Sequence, residues 1–304
     1  MQNQSKAFLF AGLTMLSWST VSTAYKVALE SLSTMQLIYV CMAAAALFLL
    51  VVMAVAGRLR DFLALRPGQV GTGMLLGVTL YLYFAFLFAG YDRLPAQIAQ
   101  PVNYTWSLVF ALLAAWQMKQ RLSKKELFWM LVAYSGVVVI SSGASGTLGP
   151  LSPLGLACVA ASTVIFAVYW LINANNDMPS QTGLILSFAT SFALAACTMA
   201  IKGESFVLPL RPVLAGAYVG LFDLAVPYIL WGLAIRLSSS VARISTIPFL
   251  GPFLGLVWIH LVLHEPIAWT TVPGLMLIAG GTLMQQKAAA GRKDAGAGSS
   301  NQAA

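Results

Sequence analysis

Residues 220–265 read GLFDLAVPYILWGLAIRLSSSVARISTIPFLGPFLGLVWIHLVLHE, and an earlier stretch, residues 77–120, resembles them. Each stretch begins with a glycine, passes an Arg-Leu pair, continues as an apolar run that contains proline, and closes on a polar residue. The two opening glycines are 143 residues apart and the closing residues, Gln120 and Glu265, are 145 apart. A repeat of strongly apolar segments across the middle of a chain is typical of a duplicated membrane protein.

The composition excludes an ordinary soluble domain. Of the 304 residues, 59% are hydrophobic and 9% are charged, whereas a soluble domain is about 25% charged. Apolar runs of about twenty residues, the length that crosses a bilayer, predict ten transmembrane helices, named helix 1 to helix 10. Their ranges are 7–28, 34–57, 68–91, 95–118, 126–142, 151–172, 181–201, 211–235, 238–263 and 267–286. Alternating barrel-type patterning is absent, so we expect an all-α polytopic membrane protein.

The net charge of +8 is distributed unevenly along the chain. With the amino terminus inside, twelve lysines and arginines fall at the termini and in the even-numbered loops, and four fall on the opposite side. Membrane proteins show this bias toward the cytoplasm. It predicts that both termini are cytoplasmic, and it explains the basic composition without a nucleic-acid partner.

The one Gly/Ser-rich connection, residues 142–150, divides the helices into five and five. Because five is odd, the second half enters the membrane from the opposite side, and we expect two inverted five-helix repeats around a central cavity. The predicted units are a cytoplasmic lead at 1–5, a first repeat at 6–143, a linker at 144–150, a second repeat at 151–287 and a disordered cytoplasmic tail at 288–304.

The cysteines and histidines predict neither disulfides nor a metal site. Cys41, Cys158 and Cys197 all lie inside apolar runs, where buried cysteine behaves as a small hydrophobic residue. His260 and His264 lie at the end of helix 9 with no Cys or Asp cluster nearby in sequence. No cofactor is expected.

Aromatic and uncharged polar side chains share one face on each of six helices, because residues three, four and seven apart lie on the same side of a helix. Polar side chains are costly against lipid, so these faces should line the interior. The predicted substrate-binding residues are Trp18, Tyr25, Tyr81, Phe84, Phe88, Gln97, Gln100, Tyr104, Phe166, Trp170, Asn173, Asp223, Tyr228, Trp231, Ser245 and Phe249. The alternative is that such stripes simply pack, and Trp106, Trp116, Trp129, Trp258 and Trp269 are interpreted as anchors at the membrane interface.

Asp223 is the one carboxylate deep within a predicted span. An aspartate at the bilayer centre costs on the order of 3 kcal/mol. Pro227, four residues later, cannot donate to the carbonyl of Asp223, so the helix should kink there. A carboxylate beside a free carbonyl suits an ammonium or a proton. The alternative, that Asp223 caps loosened backbone or bonds a neighbouring tyrosine, stays open.

Prolines in corresponding places of the two halves predict interrupted helices, which in transporters point to the substrate site. Pro101 lies in helix 4, and Pro248 and Pro252 lie in helix 9. Together with Pro227 these prolines are the predicted hinges, although kinked helices also occur as plain packing devices.

Three further charges near or inside the spans have two interpretations each. Arg243 either opposes Gln100 across the pseudo-symmetry axis or extends its charge to the interface. Lys26 and Glu265 either pair in a gate or are exposed charges at helix ends.

These features together resemble the EamA-type branch of the drug/metabolite transporter superfamily. The resemblance lies in the inverted halves, in a proline thirteen residues before the Glu265 that closes helix 9, in Gly280-Gly281, and in Leu16-Ser17-Trp18-Ser19, which is similar to that family's first-helix tryptophan motif. The sequence departs from the pattern where Ser19 replaces a usual glycine, Cys41 lies near a usual arginine, and Gln120 replaces the first-half glutamate.

The resemblance implies a cavity between helices 1, 3, 4, 6, 8 and 9 in the bacterial inner (plasma) membrane, with helices 5 and 10 peripheral and available for a homodimer contact. The many Trp and Tyr residues are most similar to those of bacterial exporters of aromatic amino acids. The implied function is a secondary transporter that exports small neutral metabolites, foremost aromatic and other neutral amino acids, by alternating access, and the expected partners are the small-molecule substrate and lipid.

Other functions are left open by the sequence. They are broad drug or metabolite efflux, transport of nucleotide sugars or sugar phosphates, an intramembrane enzyme and a channel. Phosphorylated cargo would require several inward Lys or Arg residues. An enzyme would require a nucleophile paired with a base, and a channel a ring of like charges.

Overall fold

The computed structural model describes residues 3–117, 119, 122–148, 150–238 and 247–300, and the side chains of 144–148, 248–249 and 291–300 lie outside this description. Within these ranges all regular structure is helical, and every predicted span contains helix. Eight of the described helices are long and apolar enough to cross a membrane. The expectation of an all-α polytopic fold is confirmed.

The helix bounds follow the apolar runs closely. Helices 1 to 3 are Gln4–Leu29, Thr34–Val55 and Pro67–Arg93, with a short 3₁₀ turn at Leu59–Phe62. Helix 4 consists of Ala96–Tyr104 and Trp106–Gln117, and helix 5 is Lys124–Leu148. Helices 6 and 7 are Pro153–Ala174 and Ser180–Lys202. Helix 8 consists of Leu210–Val219, a π-helical turn Gly220–Ala225 and Val226–Leu237. Helix 9 is Gly251–Leu263 after a 3₁₀ turn Ile247–Leu250, and helix 10 is Thr271–Ser300.

Local chemistry sets several of these ends. Ser33 and Gln36 form a capping box that satisfies free N–H groups at the start of helix 2. Helix 6 begins with the Ser152 cap followed by Pro153, whose missing N–H costs nothing in a first turn. Helix 7 ends at Gly203, which has φ +67°, a left-handed conformation that glycine adopts without strain.

Two helices run further than the sequence predicts. Helix 5 continues to Leu148, into the segment 144–150 predicted as a linker. Helix 10 continues to Ser300, whereas disorder is predicted for 288–304. The described part of neither segment contains a proline, the residue that would end a helix there.

The bundle has two distinct ends. At the near end the chain begins, and the backbone N–H of Asn3 donates to the carbonyl of Leu237 at the end of helix 8 over 3.0 Å. At the far end lie the last turn of helix 1, the turn between helices 3 and 4, and the turn between helices 9 and 10 around Glu265. Successive helices therefore run in alternating directions between these two ends.

Helices 5 and 10 pack chiefly against each other. Glycines bring their backbones together, since a Cβ on Gly136 would lie 2.4 Å from the carbonyl of Gly274. Close helix approach through small residues is typical of membrane proteins. The remaining eight helices form the body of the molecule, in which helix 3 packs against helices 6 and 7, and helix 1 against helices 8 and 9.

Candidate substrate cavity

A cavity of about 310 Å³ lies inside the eight-helix body. It is lined by helices 1, 3, 4, 6 and 8, and at the near end by Gln286 of helix 10. Its aromatic lining is Trp18, Tyr25, Tyr83, Tyr91, Tyr104, Trp106, Phe166, Trp170 and Tyr228, and its other members include Val21, Ser22, Gln100, Asn103, Ser107 and Asp223.

A larger cleft of about 400 Å³ opens at the near end, beside Gln69, Gln117 and Asn175. It is lined by amide side chains and loop residues rather than by ring faces. We take the interior cavity as the candidate site, because ligand sites combine an apolar enclosure with a few convergent polar groups.

Asp223 lies in the π-helical turn of helix 8 and faces the cavity. The Tyr25 hydroxyl of helix 1 donates to its carboxylate. The indole N–H of Trp18 donates to the Asp223 carbonyl over 3.1 Å, and the Ser17 hydroxyl donates to the Phe222 carbonyl over 2.6 Å. Side chains of helix 1 thus donate hydrogen bonds to backbone carbonyls that the widened turn and Pro227 leave without donors from helix 8 itself.

One wall of the cavity is a cluster of stacked rings. Tyr83 stacks on Phe166 with ring centroids 4.2 Å apart and an interplanar angle of 16°. Trp170 lies nearly parallel to Trp106 on one side, at 6.1 Å, and to Tyr228 on the other, at 6.4 Å. Such a wall offers ring faces to an aromatic cargo, and the same faces attract cations.

Two polar groups of this lining have no hydrogen-bond partner among the described residues. They are the indole N–H of Trp170 and the side-chain amide of Gln100, and all three polar atoms are buried. Gln100 packs against helix 9 at Gly255, where a Cβ would lie 2.3 Å from its Nε2 atom. A buried unpaired polar group costs about 1–3 kcal/mol, so a ligand that pairs with these groups recovers part of that cost.

The charge inside the cavity is negative. Asp223 is its one carboxylate, and no lysine, arginine or histidine belongs to the described lining. Within the described ranges, no three His, Cys, Asp or Glu side chains come together as metal ligands would. The described lining therefore combines ring faces with one acidic group.

Half of the residues predicted for the site lie in this lining. They are Trp18, Tyr25, Gln100, Tyr104, Phe166, Trp170, Asp223 and Tyr228. Trp231 lies beside it, with its ring centroid 6.2 Å from that of Trp18. Ser245 and Arg243 lie outside the described residues, as does the side chain of Phe249.

The stripe predicted on helix 3 faces helix 7 and the core instead of the cavity. Tyr81 hydrogen-bonds the Thr198 hydroxyl of helix 7 over 2.8 Å. Phe84 and Phe88 are fully buried in the core. The reason is Gly77, where a Cβ would lie 2.7 Å from the Ser187 carbonyl, so this side of helix 3 is the close contact with helix 7.

Two other predicted residues have structural partners. The Gln97 side chain bonds the turn between helices 9 and 10 and does not reach the cavity. Asn173 accepts hydrogen bonds from Asn176 near the end of helix 6. The polarity of Gln97 and Asn173 does not by itself show whether a side chain bonds its own protein or a ligand.

Several lining residues were missed. Tyr83 and Tyr91 of helix 3 line the cavity, and their hydroxyl groups were the available signal in the sequence. Trp106, interpreted from the sequence as an interface anchor, lines the cavity because helix 4 is interrupted just before it. Trp258, interpreted likewise, does not line the cavity: it is partly exposed, and its indole N–H donates to the Ser19 hydroxyl over 3.2 Å.

The predicted hinge prolines coincide with irregular backbone. Pro101 lies inside Ala96–Tyr104, and helix 4 is interrupted at Thr105. Pro227 follows the π-helical turn, Pro248 lies in the 3₁₀ turn Ile247–Leu250, and Pro252 lies in the first turn of helix 9.

Two curated relatives from Bacillus subtilis (strain 168) are similar to this chain, and both are named only as uncharacterized transporters. YdeK is 27% identical over 156 residues, which are 49% of this chain and 52% of that protein, so the chain spans about half of its length. YvbV is 21% identical over 210 residues, or 67% of each protein.

A known crystal structure has the same fold. Its sequence is 22% identical to this one, and the superposition covers 93% of this chain and 96% of the other chain with a TM-score of 0.67. The model of the EamA-like transporter family matches residues 5–142 and 153–285. These two segments coincide with the two halves of the bundle and leave out little more than the connection between them and the ends. The chain therefore belongs to the EamA-like transporter family.

Proposed function

We propose that this protein exports small neutral metabolites, foremost aromatic amino acids, across the bacterial inner membrane by alternating access. The observation that carries the proposal is the interior cavity, whose described lining combines stacked rings with one carboxylate, that of Asp223. Both termini are cytoplasmic in this proposal, so the near end faces the cytoplasm and the far end faces outward.

The cavity offers a complementary group for each part of such a cargo. The ring of the cargo packs against the wall formed by Phe166, Trp170 and Tyr228. Its ammonium group pairs with the Asp223 carboxylate, which Tyr25 holds in place. Its carboxylate accepts from the Gln100 amide and the Trp170 indole, which have no other partner in the part of the chain that the structure describes.

Alternating access uses the interruptions in helices 4, 8 and 9 as hinges. Each interruption has lost regular helical hydrogen bonds, so a change of angle there breaks few further bonds. The two halves rock about the cavity, which then opens to one end at a time.

Flux in reconstituted vesicles tests the proposal. Labelled phenylalanine and tryptophan should show saturable flux that each unlabelled compound inhibits, and alanine and a sugar phosphate should compete weakly. Comparing right-side-out with inside-out vesicles gives the direction. Flux that does not saturate would indicate a channel, and chemical conversion without flux would indicate an enzyme.

A second candidate is efflux of organic cations, favoured by the presence of a carboxylate and the absence of basic groups in the described lining. Phenylalanine and phenethylamine distinguish the two candidates, because they differ by one carboxylate. Stronger competition by phenethylamine favours cation efflux, and stronger competition by phenylalanine favours amino acid export.

A further inference from the structure

The turn between helices 3 and 4 is held from two sides at the far end. On one side the ammonium group of Lys26, from helix 1, donates to the carbonyls of Tyr91 over 2.9 Å and Leu94 over 3.2 Å. On the other side the carboxylate of Glu265, from the end of helix 9, accepts from the N–H groups of Ala96 over 3.0 Å and Gln97 over 3.4 Å. Lys26 and Glu265 do not pair with each other: each bonds the backbone of this turn.

The charges match the helix ends that they contact. The last carbonyls of a helix carry partial negative charge, and its first N–H groups carry partial positive charge. Lys26 therefore stabilises the end of helix 3, and Glu265 stabilises the start of helix 4. Both contacts are charge-assisted hydrogen bonds, which are about twice as strong as neutral ones.

Gln97 adds three bonds across the same contact. Its amide nitrogen donates to the Pro266 carbonyl over 2.8 Å. Its amide oxygen accepts from the Ala268 N–H and from the Thr271 hydroxyl, each over 3.0 Å. The first turn of helix 4 in the first repeat is thus tied to the turn between helices 9 and 10 in the second repeat.

This turn closes the far end of the cavity. Tyr91, whose carbonyl Lys26 binds, lines the cavity, and its hydroxyl hydrogen-bonds Ser22 over 2.9 Å. Tyr91 and Leu94 are each 1% exposed, and Gln97 is fully buried. A cargo that leaves toward the far end must displace this turn.

We propose that Lys26 and Glu265 are positioning residues of the transport cycle, which hold the turn between helices 3 and 4 closed over the cavity and release it when the cavity opens at the far end. This inference rests on the alternating access of the proposed function but not on the identity of the cargo. The sequence counterpart of Glu265 in the first half is Gln120, which carries no charge. Gln120 lies outside the described residues. The contacts of Lys26 and Glu265 stabilise the state in which the cavity is closed at the far end.

Cysteine accessibility tests the inference without a known cargo. The three native cysteines are replaced by alanine, and Val21→Cys in the cavity lining serves as the reporter. A membrane-impermeant maleimide is added from each side separately. The reporter cysteine should react about tenfold faster from the far side when Glu265→Gln is added, and likewise when Lys26→Met is added. This is the factor expected when one state of a two-state equilibrium loses one charge-assisted contact. Glu265→Asp should restore most of the protection.

Matched controls come from the same cleft. Glu30 and Asp92 line the far-end cleft together with Lys26 and Glu265, yet neither bonds the backbone of the turn. Glu30→Gln and Asp92→Asn should therefore label like the parent protein. Equal labelling in Glu265→Gln and Glu30→Gln would overturn the inference. It would also be overturned if both Glu265→Gln and Lys26→Met lost the folded, monodisperse protein, since the bonds would then serve the fold itself.

The flux experiment and the cysteine-labelling experiment test different proposals, and each can fail without the other. If phenylalanine is not transported but Glu265→Gln accelerates far-side labelling, the proposed cargo is wrong and the positioning role stands. If phenylalanine is transported and Glu265→Gln labels like the parent, the cargo stands and the positioning role is wrong.

Discussion

At the scale of single residues, the chemistry of the candidate site converges on Asp223. Its carboxylate takes a hydrogen bond from Tyr25 and its carbonyl takes one from the indole of Trp18. Of the two interpretations that the sequence leaves open, the hydrogen bond to a tyrosine is present in the structure, and the ligand contact stays a prediction. The Tyr25 bond uses one carboxylate oxygen, and the other oxygen remains for a cargo.

Replacing this carboxylate by its neutral isostere tests the ligand contact. Asp223→Asn should raise the KM for a cargo with an ammonium group about 30-fold, because a hydrogen bond to a charged group contributes about 2 kcal/mol. Flux measurements over a range of cargo concentrations give this value. Asp61→Asn, in an exposed pair with Arg58, is the matched control and should leave the KM unchanged. An unaltered KM in Asp223→Asn would remove the proposed role of this acid.

At the scale of elements, small residues decide which helix faces touch. A Cβ on Gly220 would lie 2.2 Å from the Cys41 carbonyl of helix 2, so helices 2 and 8 meet backbone to backbone. Cys41, which lies near the position of a usual arginine, is fully buried in this contact. The small, uncharged cysteine fits this close contact, which leaves little room for a long side chain.

This close contact gives a stability prediction. Gly220→Ala should destabilise the protein by about 1–3 kcal/mol, because the added methyl group overlaps the backbone of helix 2. Gly232→Ala lies on the same helix where no atom comes within 4 Å of a Cβ, and it should leave stability unchanged or slightly increased. Thermal unfolding of both purified variants, followed by size-exclusion chromatography, measures the difference. A Gly220→Ala protein as stable as Gly232→Ala would contradict the close approach.

At the scale of the whole molecule, the architecture is two halves of five helices that enter the membrane from opposite sides. An odd number of crossings must then separate the amino end from the connection near residue 150. Impermeant labelling of Ser5→Cys and Pro150→Cys, both exposed positions, should occur from opposite sides of the membrane. Labelling of both from one side would contradict the inverted repeat.

The sequence by itself determined the class of fold and the duplication. Apolar runs long enough to cross a bilayer admit helices and little else, because unpaired backbone is too costly in lipid. The repeated spacing between residues 77–120 and 220–265 then indicates the two halves. These features depend on local composition and on the length of the apolar runs, and both can be read directly from a single sequence.

Only the tertiary structure decided which polar and aromatic residues meet in the cavity. The periodicity of helix 3 shows that Tyr81 and Phe84 share a side, but the close contact at Gly77 turns that side toward helix 7. Gln97 and Gln100 lie one turn apart and have the same chemistry. Gln97 is hydrogen-bonded at the far end, whereas Gln100 has no partner among the described residues and lies beside the cavity. A helix face acquires its role from the helix packed against it, and that partner is fixed by contacts far apart in sequence.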